Sequence, residues 1–194
     1  MPPSETRLGV LGGTFDPPHN GHLLMARKAR EMLGLDEVLF VPVLRPSHKA
    51  DAVAAFADRL RMVELLLAGE AGLAVTDLEA HIGWSPSYTV NLLAELDRQR
   101  GPDTRLFFIA GADSLEQFHL WFRYREILAL ARLVVLGRPG FSLQNPHLTA
   151  EDWASIILLP GLASPDASHR YREGAGATVP RAVEEYIRER GLYR

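Results

Sequence analysis

The segment that most constrains this chain is GGTFDPPHNGH, at residues 12–22. A short apolar run at residues 8–11 precedes it, and an amphipathic pattern that begins near Leu23 follows it. A strand that enters a glycine turn and then a helix is a common phosphate site, because backbone N–H groups and the positive end of the helix dipole meet the anion there. His19 and His22 stand at the predicted helix start and add imidazole donors. The segment therefore predicts an anion site in an α/β fold.

Short apolar runs alternate with amphipathic helical patterns along the rest of the chain. Further strands are predicted at residues 37–43, 73–78, 105–110, 132–136 and 155–159. Helical patterns lie between or after them, at residues 23–33, 52–67, about 86–96 and 180–190. Near-continuous apolar runs are typical of strands that are covered on both faces, as in a parallel sheet. The predicted fold class is α/β, a doubly wound, mostly parallel, Rossmann-like sheet with helices on both faces.

The length and composition of the chain fit one domain. Its 194 residues are 47% hydrophobic, which is enough for a substantial core, and neither a repeat nor a low-complexity linker divides them. We therefore expect a single domain over residues 1–194. Residues 1–6 are expected to form a loose N-terminal tail, and residues 165–194 to form helices that pack on the same domain.

Charge and residue usage exclude several classes of protein. The net charge of -3 provides no basic field for nucleic acid. The chain contains no cysteine, which excludes disulfides and thiolate metal sites and fits a reducing cytoplasm. No apolar run approaches membrane-spanning length. We expect a cytoplasmic protein without nucleic-acid or membrane partners, and the sequence leaves homo-oligomerisation open.

The histidine pair distinguishes the first turn from the two common glycine motifs for nucleotides. No G-x-x-x-x-G-K-[ST] motif occurs, and no G-x-G-x-x-G motif follows the first strand. His19 and His22 are three residues apart and therefore share one face of the helix start. We interpret them as phosphate ligands that donate to a phosphoryl oxygen as it gains negative charge in a transition state. Metal ligation is the alternative, but no third ligand is paired with them in the sequence.

The first turn resembles the signature of the H-x-G-H nucleotidyltransferases, with His19-Asn20-Gly21-His22 as the four-residue motif. The longer string at residues 12–22 is similar to that of the bacterial nicotinate-nucleotide adenylyltransferase family. Further matches to that family follow in order along nearly the whole chain: Arg45-Pro46-Ser47-His48-Lys49, Ser87-Tyr88-Thr89, Gly111-Ala112-Asp113-Ser114, Trp121-Phe122-Arg123, Arg138-Pro139-Gly140, and residues 179–193.

The resemblance implies an activity. Enzymes of this family transfer the adenylyl group of ATP to nicotinate mononucleotide, which gives nicotinate adenine dinucleotide and pyrophosphate in NAD biosynthesis. It implies ATP and nicotinate mononucleotide as partners and Mg²⁺ on the ATP phosphates. Two alternatives remain open. One is a related adenylyltransferase with another acceptor, nicotinamide mononucleotide or phosphopantetheine. The other is a nucleotide-binding homologue with impaired catalysis.

The resemblance also implies roles for individual residues. It makes His19 and His22 catalytic, and it implies a nicotinate-nucleotide site at Thr89, Trp121 and Phe122. The implied contacts to ATP and its phosphates come from Gly12, Gly13, Thr14, Phe15, Lys49, Gly111, Asp113, Arg138 and Ser164.

Several of these residues have a plain structural alternative. Trp121 would stack on the pyridine ring or pack in the core. Asp113 would contact adenosine or cap the next helix, and Lys49 would bind phosphates or stand in solvent. For Asp16, which the motif also contains, a turn or helix-capping role is preferred to metal binding.

One segment departs from the family pattern. Family members usually carry I-S-S-T-x-I-R after the last strand, whereas residues 162–168 here read L-A-S-P-D-A-S. Ser164 is retained in type, and together with Pro165 it still fits a helix start. Arg170 and Arg172 follow within a turn, where they either supply the missing charge or line a solvated helix face. The departure places the strength of ATP binding in question, not the fold.

Overall fold

The computed structural model describes residues 5–45, 52–83, 86–137, 140–161, 168–174 and 178–193. Within these residues six strands form one sheet, and every strand pair in it is parallel. The strands are β1 (Thr6–Gly13), β2 (Glu37–Pro42), β3 (Leu73–Val75), β4 (Thr104–Gly111), β5 (Ala131–Leu136) and β6 (Ile156–Leu159).

Helices connect the strands and continue beyond the last one. Those in the described part of the chain are α1 (Asn20–Leu33), α2 (Phe56–Leu66), α3 (Leu78–Ile82), α4 (Thr89–Arg100), α5 (Ala112–Gln117), α6 (Tyr124–Leu130), α7 (Ala150–Ala154), α8 (Ser168–Arg172) and α9 (Arg181–Arg190). A 3₁₀ turn (Phe118–Leu120) lies between α5 and α6.

The strand order β3-β2-β1-β4-β5-β6 determines where a ligand binds in such a fold. The chain runs outwards from β1 to β3, returns to β4 beside β1, and then continues outwards on the other side. The direction of winding therefore reverses between β1 and β4, and open parallel sheets bind ligands outside the carboxyl ends of the strands at this point. The predicted doubly wound α/β class is confirmed.

Hydrophobic cores cover the two faces of the sheet, because successive side chains of a strand point to opposite faces. Val10 and Phe108 pack in the core with the buried residues of α4 and α6. Leu11 and Ile109 pack in the core with those of α1, α2 and α9. Gly9 faces this second core, where an added Cβ would lie only 2.9 Å from side-chain atoms of two neighbours. A glycine in the central strand therefore allows the close packing of this core.

Several predicted boundaries were wrong. The run predicted as a strand at residues 73–78 is strand only as far as Val75, because the Thr76 hydroxyl accepts from the N–H of Leu78 and turns the chain into α3. The helix predicted from residue 86 begins at Thr89. The helix predicted from residue 52 begins at Phe56, and Thr6, which the sequence assigns to the tail, is already in β1.

Candidate active site

The turn between β1 and α1 places the histidine pair at the carboxyl end of the central strand. His19 is the extended N-cap residue of α1 and is buried, whereas His22 is partly exposed in the first turn. Their ring centroids lie 3.7 Å apart, with an angle of 30° between the planes. The structure therefore brings the two rings together, as their spacing in the sequence predicts.

The backbone determines which nitrogen of His22 carries the proton. The N–H of His19 donates to Nδ1 of His22 at 3.1 Å. Because an accepting nitrogen must offer its lone pair, neutral His22 carries its proton on Nε2. The edge of the buried Phe15 ring packs against the same imidazole, with ring centroids 4.9 Å apart. The ring of His22 is thus oriented on two sides, and its N–H donor is Nε2.

At the N-terminus of α1, some of the backbone N–H groups that were predicted to face an anion already have acceptors within the protein. The N–H of His19 donates to His22, and the N–H of Asn20 donates to the carbonyl of Thr178 at 3.1 Å. Two backbone donors at the helix start are therefore used within the protein. An anion bound at this turn would depend more on the imidazoles and on the backbone of residues 12–15.

Asp16 has a structural role in this turn. Its buried carboxylate accepts hydrogen bonds from the N–H groups of Val53 and Ala54, at 2.7 and 3.0 Å, and from the hydroxyl of Tyr193 at 2.6 Å. Burial and the bond to Asp16 both raise the pKa of the Tyr193 hydroxyl, so this hydroxyl remains a donor. These contacts support the turn role of Asp16 over metal binding.

Helix α8 is also attached to the turn between β1 and α1. The guanidinium of Arg172 donates to the backbone carbonyl of Asp16 and lies 3.9 Å from the Asp16 carboxylate. The hydroxyl of Ser168 donates to the carbonyl of Pro17 at 2.9 Å. Arg172 thus contacts the turn instead of lining a solvated face. Three predicted phosphate ligands, Lys49, Arg138 and Ser164, lie outside the described residues, as does the side chain of Arg170.

The end of β4 supplies the opposite side of the crevice. Gly111 is the N-cap residue of α5, and Asp113 is exposed in the first turn of that helix. A Cβ on Gly111 would lie 2.5 Å from Oδ1 of Asp113, so the glycine allows this carboxylate to lie back over the strand end. Asp113 is therefore not the N-cap residue, and its carboxylate lies at the switch point beside β1.

The predicted nicotinate side is built around the start of α4. Thr89 is the first residue of that helix, where N–H groups lack intrahelical acceptors. Phe122 is 46% exposed and packs on the ring of Tyr88, with centroids 4.5 Å apart. Trp121 is partly buried and contacts the rings of Phe108 and Phe118. The structure therefore joins Phe122 to the start of α4, while Trp121 packs partly against the core.

Two buried charged residues, Arg59 and Glu79, were missed by the sequence analysis. Each is only 1% exposed. Arg59 donates to backbone carbonyls of the turn after β1 and of the chain after β2, and Glu79 accepts from the N–H of Leu44 in the chain after β2. For Arg59, the sequence did contain a signal. Arg59 lies one helical turn before Met62 and Val63, on the apolar face of α2.

Two further features concern metals and membranes. In the part of the chain that the structure describes, no three His, Cys, Asp or Glu residues form a group that would hold a metal ion. Within the same residues, no helix has the length and apolar character needed to cross a membrane.

The parallel sheet and the histidine pair at its switch point define a class, the α/β proteins that bind a nucleotide at the first strand-to-helix turn. Residues 10–173 match the cytidylyltransferase-like family model. The chain therefore belongs to the cytidylyltransferase-like family.

Its relatives include bacterial enzymes similar over nearly the full length. A probable nicotinate-nucleotide adenylyltransferase of Mycolicibacterium vanbaalenii is 37% identical in an alignment that covers 98% of this chain and 93% of the relative. A probable nicotinate-nucleotide adenylyltransferase of Laribacter hongkongensis is 38% identical in an alignment that covers 96% of this chain and 94% of the relative. The family predicted from the motifs is confirmed.

A solved structure has the same fold. The nicotinic acid mononucleotide adenylyltransferase of Plasmodium falciparum, in complex with NaAD, superimposes with a TM-score of 0.78 over 97% of both chains. The identity is 16%, so this likeness concerns the fold alone.

Proposed function

We propose that this protein transfers the adenylyl group of ATP to nicotinate mononucleotide and releases pyrophosphate, as a step of NAD biosynthesis. The observation that carries the proposal is the His19–His22 ring pair, with centroids 3.7 Å apart, at the switch point of the sheet. It occurs in a chain that is similar over nearly all its length to enzymes named for this reaction. These names agree with the activity predicted from the sequence.

The reaction requires positioning and charge stabilisation, not a covalent intermediate on the protein. A phosphate oxygen of the mononucleotide attacks the α-phosphorus of ATP, the new P–O bond forms, and the bond to the β-phosphate oxygen breaks as pyrophosphate leaves with its electron pair. Negative charge builds on the phosphoryl oxygens during this step. Nε2–H of His22 is oriented by its Nδ1 contact and donates to such an oxygen, which is typically worth about 10²–10³ in rate.

The other residues would divide between the two substrates. The backbone of residues 12–15 follows β1 and would hold phosphates next to His19. Gly111 and Asp113 lie across the switch point and would contact the adenosine side. The start of α4 at Thr89, with Trp121 and Phe122, would bind the nicotinate group. Lys49, Arg138 and Ser164 are proposed as phosphate ligands from the family resemblance alone.

A divalent cation is expected to accompany the triphosphate in this family, and we propose Mg²⁺. Mg²⁺ retains several waters and usually binds through substrate phosphates and one or two carboxylates, so it needs no protein cage. The carboxylate of Asp16 is occupied by three protein donors and is a poor candidate ligand. Asp113 is exposed at the site and is the better candidate. The cytoplasmic location and any homo-oligomer stay predictions.

The test is a turnover assay with alternative acceptors. The protein is incubated with ATP, Mg²⁺ and either nicotinate mononucleotide, nicotinamide mononucleotide or phosphopantetheine, and pyrophosphate release is followed. We expect nicotinate mononucleotide to give the highest kcat/KM. Preference for another acceptor would overturn the substrate assignment. No turnover with any acceptor, despite measurable ATP binding, would overturn the enzymatic function.

A further inference from the structure

Arg59 connects three separate segments of the chain through its guanidinium group. Nη1 donates to the carbonyls of Thr14 and Val43 at 2.8 and 2.9 Å, and Nη2 donates to that of Leu44 at 3.3 Å. Nε donates to the carbonyl of Ala54 at 3.2 Å. A guanidinium carries five N–H donors in a rigid plane, so one side chain fixes these segments relative to one another.

Glu79 binds the same segment, at Leu44, through a backbone N–H group. Oε2 accepts from the N–H of Leu44 at 2.8 Å, and the carboxylate also bonds to the hydroxyl of Ser87. Ser87 in turn pairs with Arg45, because its N–H donates to the carbonyl of Arg45 at 3.1 Å and its hydroxyl accepts from the N–H of Arg45 at 3.2 Å. Leu44 is therefore held by Arg59 at its carbonyl and by Glu79 at its N–H.

This network connects the two halves of the substrate site. Thr14 belongs to the phosphate turn next to the histidine pair, and Ser87 lies two residues before Thr89 at the start of α4. The route between them passes through Arg59, Leu44 and Glu79, all by hydrogen bonds between buried or partly buried groups. A change at Leu44 would therefore shift the acceptor side relative to the phosphates.

We propose that Arg59 and Glu79 are positioning residues of adenylyl transfer, which fix the start of α4 relative to the phosphate turn through Leu44. The inference rests on the proposed function, because it assigns nicotinate mononucleotide to the α4 side. Among the described residues, the Glu79 carboxylate bonds to Leu44 and Ser87 on the acceptor side, whereas Arg59 bonds to both Thr14 and Leu44. Their substitutions therefore have different kinetic signatures.

Burying the charged side chains of Arg59 and Glu79 costs free energy, which argues against a role in packing alone. Burial lowers the pKa of the Arg59 guanidinium, and the negative charges of Asp16 and Glu79 act against this shift. Burial raises the pKa of Glu79, and its bonds to Ser87 and Leu44 and the charge of Arg59 offset only part of the shift. Apolar residues of similar volume often stabilise a core as well as a buried charged pair does, or better.

The test measures KM for each substrate separately in Glu79→Gln, Ser87→Ala and Arg59→Lys. Glutamine keeps the size of Glu79 and an acceptor for Leu44, so the first variant is expected to fold. We expect Glu79→Gln and Ser87→Ala to raise KM for nicotinate mononucleotide about tenfold, with KM for ATP unchanged within about twofold. Lysine lacks the planar fork, so Arg59→Lys should lower kcat about 10–100-fold and raise both KM values.

Matched controls come from the exposed surface of α2, the helix that carries Arg59. Arg61 and Glu64 form an ion pair on α2, at 2.7 Å, with half-exposed side chains. Arg61→Lys and Glu64→Gln repeat the same chemical changes away from the network and should leave both KM values and kcat as in the wild type. Folding of every variant is checked by circular dichroism and by its unfolding midpoint, and kinetics are measured well below that midpoint.

The outcomes separate the two proposals. An active wild type with kinetics unchanged in folded Glu79→Gln and Ser87→Ala would overturn the positioning role and leave the proposed function intact. A parallel rise of both KM values in Glu79→Gln would overturn the assignment of Glu79 to the acceptor half. A wild type without turnover would overturn the proposed function, and the positioning role with it.

Discussion

His22 is oriented by a backbone hydrogen bond on one side and by an aromatic ring on another, so its substitution should affect chemistry and little else. We expect His22→Ala to reduce kcat by at least about 10²–10³-fold, because it removes the Nε2–H donor. The side chain is only partly buried, so the fold should be retained in circular dichroism.

The control for His22 is a histidine on the surface. His81 is exposed on α3 and lies 3.2 Å from Asp77. His81→Ala should therefore leave turnover unchanged. Near-normal activity of His22→Ala would show that the motif has been misinterpreted.

Single residues differ in how far the sequence predicts them. The contact between His19 and His22 follows from helical spacing and needs no tertiary information. The N–H of Asn20 donates to Thr178, a contact between distant parts of the chain that no local pattern contains. Met32 lies on the apolar pattern of α1 yet is 48% exposed, because nothing in the described structure covers the last turn of α1 at that point. Local geometry is therefore more predictable than burial.

Among the helices and strands, the sequence predicts the boundaries that depend on local signals. Helix α1 ends at Gly34, whose φ of 57° is the left-handed conformation that glycine favours. The sequence predicts the start of α4 at about residue 86, but the N–H of Ser87 donates to the carbonyl of Arg45, and the helix begins only at Thr89. The pairing depends on the distant end of β2, so it is absent from local patterns.

Helix α7, which is not among the helices predicted from the sequence, begins with a capping box. The Thr149 hydroxyl accepts from the N–H of Asp152 at 3.2 Å, and the Asp152 carboxylate accepts from the N–H of Thr149 at 2.9 Å. Burial raises the pKa of Asp152, but the bonds to Thr149 and the nearby Arg125 outweigh this effect and hold the pKa below 3.8.

The capping box predicts a pH-dependent effect of Asp152→Asn. A depressed carboxyl pKa adds stability above the ordinary pKa, and this stability is lost as the pH falls through the lower folded value. We expect the substitution to lower the free energy of unfolding by about 1 kcal/mol at pH 7. The difference should shrink at about pH 2, as the wild-type carboxyl becomes protonated while the pH falls through its lowered pKa. Urea unfolding at both pH values measures it.

Glu151→Gln is the control for the capping box. Glu151 stands in the same helical turn but is exposed. Its substitution should change the free energy of unfolding by less than about 0.5 kcal/mol at either pH. An effect of Asp152→Asn that is equally large at both pH values would exclude a contribution from the ionised carboxylate.

At the scale of the whole molecule, the sheet order turns distant segments into one site. The alternation of strands and helices predicts a parallel sheet, and a parallel sheet gathers the loops after β1, β2 and β4 at one edge. The sequence does not predict that Tyr193 donates to Asp16, which is 177 positions away. This contact requires α9 to pack beside α2, and that packing depends on how apolar faces from the whole chain fit together.

The C-terminal segment therefore contributes to the turn between β1 and α1 as well as to the core, and two tyrosines distinguish these contributions. Tyr193 donates to the buried carboxylate of Asp16 in the turn, and Tyr186 donates to the buried carboxylate of Asp58 on α2 at 2.8 Å. Tyr193→Phe and Tyr186→Phe remove the same kind of hydrogen bond. Each should lower the free energy of unfolding by about 1.5–3 kcal/mol.

Only one of the two substitutions should affect turnover of the folded protein. Without the hydroxyl of Tyr193, the Asp16 carboxylate loses one of its three donors, and the turn that orients His22 becomes less constrained. We expect kcat of Tyr193→Phe to fall about tenfold at a temperature well below its unfolding midpoint, and that of Tyr186→Phe to stay at the wild-type value. Equal kcat values in the two variants, with equal losses of stability, would show that the C-terminal hydroxyl stabilises the fold without shaping the site.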